Sequence, residues 1–331
     1  MNLYSFSKDR FEQILREIAQ QISVYLPQEV DEEVRFRPWD LVTLDTSFPR
    51  PARPAKEFFL PPAEILLYFH RDGSAQKEVF DEERRILVGV RPCDAKTVQL
   101  LDRVFLADPV DPYYRARRET TLVLVFACPQ PEMNCFCREL GDGPDRVNGA
   151  DGLLFDRGDR LELLAVTPAL DTLFRPRQYP AREIASAQEL QASEQEVERL
   201  PLAELFERLP GLIQDSWLWS RIESTCVGCG ACSYLCPTCH CFDISDQVYG
   251  RVGKRLRTYD TCMFPAYTLE ASGHNPRSSG LERWRQRLMH KFRYTPELTG
   301  EVGCTGCVRC IDCCPSKIDI REVIRNAAGA R

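Results

Sequence analysis

Sixteen of the 331 residues are cysteine; nine of these fall into two runs, and eight of the nine repeat one spacing. Residues 226–237 read CVGCGACSYLCP and residues 304–315 read CTGCVRCIDCCP, both of the form C-x2-C-x2-C-x3-C-P. This is the spacing that holds 4Fe-4S clusters in pairs. Two-residue gaps let three thiolates close round one cubane within a tight loop, and the fourth cysteine, carried off by its proline turn, reaches the other cluster. The expected ligands are Cys226, Cys229, Cys232 and Cys314 for a first cluster, and Cys304, Cys307, Cys310 and Cys236 for a second. Zinc also uses C-x2-C pairs, but it takes two pairs and does not ask for a third, evenly spaced cysteine. Disulfides suit separate bridges and not three cysteines crowded at this spacing.

A second constellation lies earlier in the chain. Residues 85–90 (RILVGV) and 121–127 (TLVLVFA) read as short buried strands, with a helix over 95–103 between them. A right-handed crossover makes such strands parallel and puts their C-terminal ends on one edge, where open α/β sheets bind their ligands. Cys93 follows the first strand and Cys128 the second, and Cys135 and Cys137 lie close behind in NCFC, before the GDGP loop at 141–144. A third 4Fe-4S cluster is expected on Cys93, Cys128, Cys135 and Cys137, with Asp94 the nearest alternative oxygen ligand. The competing reading is four buried free cysteines, since free cysteine is among the most buried residue types. Cys239, Cys241 and Cys262 could bind a further metal but form an incomplete set, and Cys313 has no evident task.

The elements that must position these groups follow from periodicity. A helix is expected over 7–22, capped by Ser7, with Phe11, Ile14, Leu15, Ile18 and Ile22 on one face. Residues 23–60 are Pro-rich and read as an extended covering segment with short strands, and 153–164 as a hairpin turning at Gly158. The Glu-rich stretch 181–209 has a helical pattern, and a further helix over 212–222 leads into the first cysteine run. Residues 281–294 form a basic amphipathic helix, with Trp284, Leu288 and Phe292 in register and Arg283, Arg287, His290 and Lys291 beside them. Its cations either form a solvated face, or offset cluster charge, or steer a partner.

Composition narrows the class. A net charge of -6 argues against a nucleic-acid binder, which carries a basic excess. Sixteen cysteines without a secretory signal point to a reducing, cytoplasmic setting and to metal. The longest apolar run, 122–127, is too short to span a bilayer.

With RPCDAK at 91–96, NCFCREL and GDGP within 134–144, CPTCHCFDI at 236–244, YDTC at 259–262, GHNPR at 273–277 and HKFRY at 290–294, the chain resembles the iron-sulfur beta subunit of cytoplasmic nickel-iron sulfhydrogenases and its relative, the A subunit of anaerobic sulfite reductase. Tyr259 stands where that family would have Trp. The resemblance covers most of the chain from about residue 85. It implies an electron conduit between a flavin and NAD(P)H-binding subunit, like ferredoxin reductase, and a catalytic subunit, most simply a nickel-iron hydrogenase. The corresponding component of anaerobic sulfite reductase and a non-enzymatic ferredoxin-type interaction module are the alternatives. No G-x-G-x-x-G, P-loop or nickel-ligand pair places flavin, nucleotide or hydrogen chemistry on this chain, so no substrate site of its own is expected. The expected fold is α+β: an N-terminal α/β domain over 1–215, then a mainly helical, two-cluster ferredoxin-like domain over 216–331 with a long insertion between its motifs.

Overall fold

A computed structural model describes residues 1–40, 45–70, 72–128, 134–178, 180–190 and 197–329. These mix helix and sheet and group into two compact units, Met1–Phe59 with Asp81–Val197, and Leu60–Phe80 with Glu198–Arg331.

In the first unit, β1 (Asn2–Phe6) leads into α1 (Lys8–Ala19), β2 (Ser23–Val30) and β3 (Glu33–Pro38). The chain then leaves for β4 (Ala63–His70) and β5 (Ala75–Glu78) of the second unit. It returns with β6 (Arg85–Val90), α2 (Pro92–Phe105), α3 (Pro112–Thr120) and β7 (Thr121–Phe126). The hairpin β8 (Gly152–Asp156) and β9 (Leu161–Ala165), α4 (Pro168–Phe174) and β10 (Arg182–Glu183) complete it. Among the described residues, these strands form one sheet in the order β10-β1-β9-β8-β7-β6-β2-β3. Its centre, β2-β6-β7-β8, is parallel. Every residue of β6 is buried, as a sheet covered on both faces requires.

Ser7 caps α1 by accepting from the Arg10 N–H, and the helix buries Phe11, Ile14, Leu15 and Ile18, each contributing about 1.5–3 kcal/mol of burial. The helix ends at Ala19, short of the expected Ile22, because the chain must turn there to enter β2.

The stretch 181–209 is not one helix. It supplies β10, a 3-10 turn at Ala187–Leu190 and only the start of α5 (Leu202–Leu212), while 191–196 lie outside the described residues. Its leucines do not recur at a period that would give a helix one apolar face, and Pro201 marks the true start.

The second unit continues through α6 (Ser216–Glu223), α7 (Ala231–Tyr234), β11 (Phe242–Tyr249), β12 (Val252–Tyr259) and α8 (Gly280–Met289). A π-helical turn at His290–Tyr294, then α9 (Thr295–Thr299), α10 (Arg309–Asp312) and α11 (Ile320–Ala328), close it. It is not mainly helical in the way expected. The insertion between the cysteine runs forms a hairpin that pairs with β4, giving the sheet β11-β12-β4-β5. The units also divide at 197/198 and not at 215/216, because 60–80 and α5 pack with the later residues.

Candidate metal centre

The two cysteine runs adopt one backbone design twice. Gly228 and Gly230 take positive φ of 68° and 73°, and at the equivalent places in the second run Gly306 and Val308 take 66° and 65°. Each pair turns the loop tightly and feeds a single helical turn, α7 carrying Cys232 and α10 carrying Cys310. A left-handed valine is costly for a β-branched residue and persists only where its surroundings over-determine it.

Cys226, Cys229, Cys232 and Cys314 line one cavity, with Met263, Trp284, Arg287 and Cys310 among its other walls. Backbone N–H groups already point at two of these sulfurs, Gly228 at Cys226 (3.4 Å) and Ile318 at Cys314 (3.3 Å). Cys236 lies near Cys304 and Cys310 of the second run. Burial pushes the Cys304 thiol up to about 11, Lys291 opposes, and Cys236 and Cys307 push it further. The Cys310 thiol is likewise held up by burial and by Cys304, Cys307 and Cys236.

The basic helix is where the expected and observed surroundings differ most. Arg287 and Lys291 are 2% and 4% exposed, so neither belongs to a solvated face. Arg287 lies among thiols of both groups. Burial would lower its pKa, but Cys232, Cys239, Cys310 and Cys236 together hold it well above the usual guanidinium value. Its guanidinium donates to Ser233 Oγ (3.2 Å) and Cys239 Sγ (3.7 Å). Lys291 Nζ donates to Cys236 Sγ (3.1 Å), Thr238 Oγ1 (2.8 Å) and the Gly303 carbonyl (2.8 Å). A hydrogen bond with Cys239, and then Lys291, Arg287 and Thr238 acting against burial, hold Cys236 down towards the thiolate.

Three buried donors around these cysteines lack a partner: Arg287 Nε, Trp284 Nε1 and Thr305 Oγ1. Orphaned donors cost stability unless something accepts from them. Thiols ringed by buried cations and unpaired donors fit an anionic cluster rich in sulfur acceptors.

Cys239, Cys241 and Cys262 also meet beside Cys236. The Cys262 thiol is held up by a hydrogen bond with Cys241, by burial and by Cys239, and Tyr267 is raised by burial and by Cys241. Cys313 lies near the first group, its thiol pushed up to about 11 by burial and then by Cys232, Cys314 and Cys229.

In the first unit, Cys93 opens α2 directly after β6, and Cys128 follows the neighbouring parallel strand β7. The Cys128 N–H donates to the Pro144 carbonyl (2.8 Å), and Lys96 of α2 pairs with Asp142 (3.0 Å), so the 134–144 loop folds back over this edge. Burial pushes the Cys137 thiol up to about 12, with Asp142, Cys128 and Cys135 adding to the shift. Asp94 is buried, as is Arg91, whose guanidinium donates to the Phe48 carbonyl and keeps NH1 unpaired. Residues 129–133, between Cys128 and Cys135, lie outside the described residues.

Comparison with known proteins places these observations. A family profile described as a 4Fe-4S dicluster domain matches residues 225–318, the span that contains both runs and the hairpin between them. The dicluster domain indicates two 4Fe-4S clusters. Over 98% of its length the chain is similar to 98% of the sulfhydrogenase 2 subunit beta of Pyrococcus furiosus, at 29% identity. No solved structure matches. Among the described residues, no helix is long and apolar enough to cross a membrane.

Proposed function

From a chain that is an iron-sulfur homologue of a sulfhydrogenase beta subunit and carries a 4Fe-4S dicluster domain, we propose an electron conduit within a hydrogenase complex. It accepts electrons from, or delivers them to, a flavin and NAD(P)H-binding subunit on one side and a nickel-iron catalytic subunit on the other, in the cytoplasm.

The observation that carries this reading is the crossed meeting of the two runs. Cys226, Cys229, Cys232 and Cys314 would hold the first cluster, and Cys304, Cys307, Cys310 and Cys236 the second. Cys310 borders the cavity of the first group, and Arg287 lies in the field of thiols of both, which would keep two redox centres close. When bound, the clusters supply one-electron, outer-sphere transfer. The chain's own residues hold the thiolates apart at fixed places, direct N–H donors at sulfur, and exclude water from the second group, where Cys236, Cys304 and Cys307 are buried.

Cys93, Cys128, Cys135 and Cys137 would hold a third cluster and extend the conduit through the first unit. The folded-back loop favours it. Anaerobically reconstituted protein should then contain about twelve irons, three cubanes of four, falling by about a third in a Cys93→Ser, Cys135→Ser variant. A wild-type value near eight, unchanged by those substitutions, removes the third site.

Anaerobic purification from the native source, with co-purifying subunits identified by mass, tests the function itself. Nickel-iron and flavin-binding subunits are expected. A sirohaem subunit would move the chain to sulfite reduction, and the absence of any partner would contradict the conduit.

A further inference from the structure

The cation nearest the second cysteine group is built into it. An ammonium has three N–H donors, and Lys291 Nζ meets three acceptors, Cys236 Sγ, Thr238 Oγ1 and the Gly303 carbonyl, at 2.8–3.1 Å. Thr238 Oγ1 in turn donates to the same Gly303 carbonyl (2.7 Å). The side chain is 4% exposed and leaves the helix within the π-helical turn His290–Tyr294. Such turns are rare and concentrate at functional sites.

A buried charge without a compelling partner is expensive. The three acceptors at 2.8–3.1 Å supply that partner. Arg287 faces both groups, through Cys232 on one side and Cys236 and Cys310 on the other, whereas Lys291 hydrogen-bonds only to a ligand of the second.

Burial and charge pull in opposite directions there. Each reduction adds a negative charge, and a desolvated site resists it. Burial of Cys236, Cys304 and Cys307 would by itself drive the potential of the second centre down. A fixed positive charge against one of its sulfurs opposes that drift most strongly where solvent cannot screen it.

We propose that Lys291 is the potential-setting residue of the second cluster, a buried ammonium bonded to Cys236 that keeps this centre reducible and selectively raises its potential over that of the first. This rests on the ligand assignment above, which iron and sulfide content test separately. Removing Lys291 leaves the Gly303 carbonyl still paired with Thr238, so the substitution does not strand that buried acceptor.

The test is a redox titration, followed by electron paramagnetic resonance, of the full chain reconstituted anaerobically. Wild type is compared with Lys291→Met, Lys291→Gln and Lys291→Arg. The second centre is identified as the signal altered by Cys304→Ser. The Met and Gln variants should keep wild-type iron content, and their second centre should show at least a tenfold lower reduced-to-oxidised ratio at fixed potential. For one electron that is a shift of about 59 mV. The first centre should move much less, and Lys291→Arg, which keeps the charge, should recover most of the shift. A fully loaded Met variant with unchanged potential, an equal shift of both centres, or an Arg variant shifted as far as Met would each overturn the proposal. So would loss of iron from both neutral variants, which would make Lys291 an anchor and not a setter of potential.

Discussion

Replacing Glu64 by Ala should unfasten the early strand β4 from the cysteine-bearing unit. Glu64 pairs in register with Arg257 of β12, Nε to Oε1 at 2.6 Å, and the two residues are 7% and 5% exposed. Removing one partner of a buried ion pair costs about 3–5 kcal/mol. Arg257 also lies over the Phe242 ring, 5.3 Å from its centroid, and that ring is 37% exposed. The guanidinium therefore has a partial route to water, and the lower figure, about 3 kcal/mol, is expected. Two compact units make global unfolding a poor readout, so the assay is native-state hydrogen exchange of the β4 and β12 amides. About 3 kcal/mol corresponds to roughly a hundredfold faster exchange there. A Glu64→Leu, Arg257→Leu double variant, which removes both charges, should recover most of the protection. Exchange within threefold of wild type in Glu64→Ala, or a double variant as labile as the sum of the singles, would refute the argument.

Gly149→Ala should destabilise the first unit by about 2–4 kcal/mol. Its φ is +73° and an added Cβ would lie 2.0 Å from the Ala95 carbonyl oxygen of α2, a backbone atom that cannot step aside. Unchanged native-state hydrogen exchange of the α2 amides contradicts this. Burial, and then His240 and Lys291, hold His290 down at about 4 against an ordinary 6.5. The unfolded chain therefore takes up this proton first, and the second unit should lose stability as pH falls from 6.5 towards 4. His290→Gln should flatten that slope in urea titrations, and an unaltered slope would remove His290 as its source. Arg287→Glu puts a carboxylate among buried thiols and should cost bound iron at every ionic strength. Iron loading restored by high salt would mean that the residue acts as an exposed charge.

Much of the centre was legible because cluster ligation is written in local spacing. The x3 gap that sets Cys236 and Cys314 apart from their own runs needs no knowledge of the rest of the fold, and Cys314 does line a cavity with Cys226, Cys229 and Cys232. The parallel pair β6 and β7 was legible for a similar reason, since all-apolar runs bounded by a helix and polar turns admit few other arrangements. What the pattern concealed was long-range. The hairpin β11 and β12 had a local signal, two apolar-polar strands joined at Gly250 with φ of 62°. Its partner β4, however, lies 182 positions earlier at the pair Val252 and His70, and no periodicity connects the two. The depth of Arg287 and Lys291 was hidden too. A helix that alternates tryptophan and leucine with cations looks amphipathic, and only the thiols near Arg287 and Lys291 show why these two cations are buried. The acidic stretch before α5 misled because charge density was read as helicity without an apolar stripe to support it.

The crossed ligation of two clusters is tested most directly by Mössbauer and electron paramagnetic resonance spectra of three single variants of the anaerobically reconstituted chain. The account predicts that Cys236→Ala perturbs the same centre as Cys307→Ala and leaves intact the centre perturbed by Cys229→Ala. Spectra in which Cys236→Ala matches Cys229→Ala, with the Cys307 centre untouched, would contradict it.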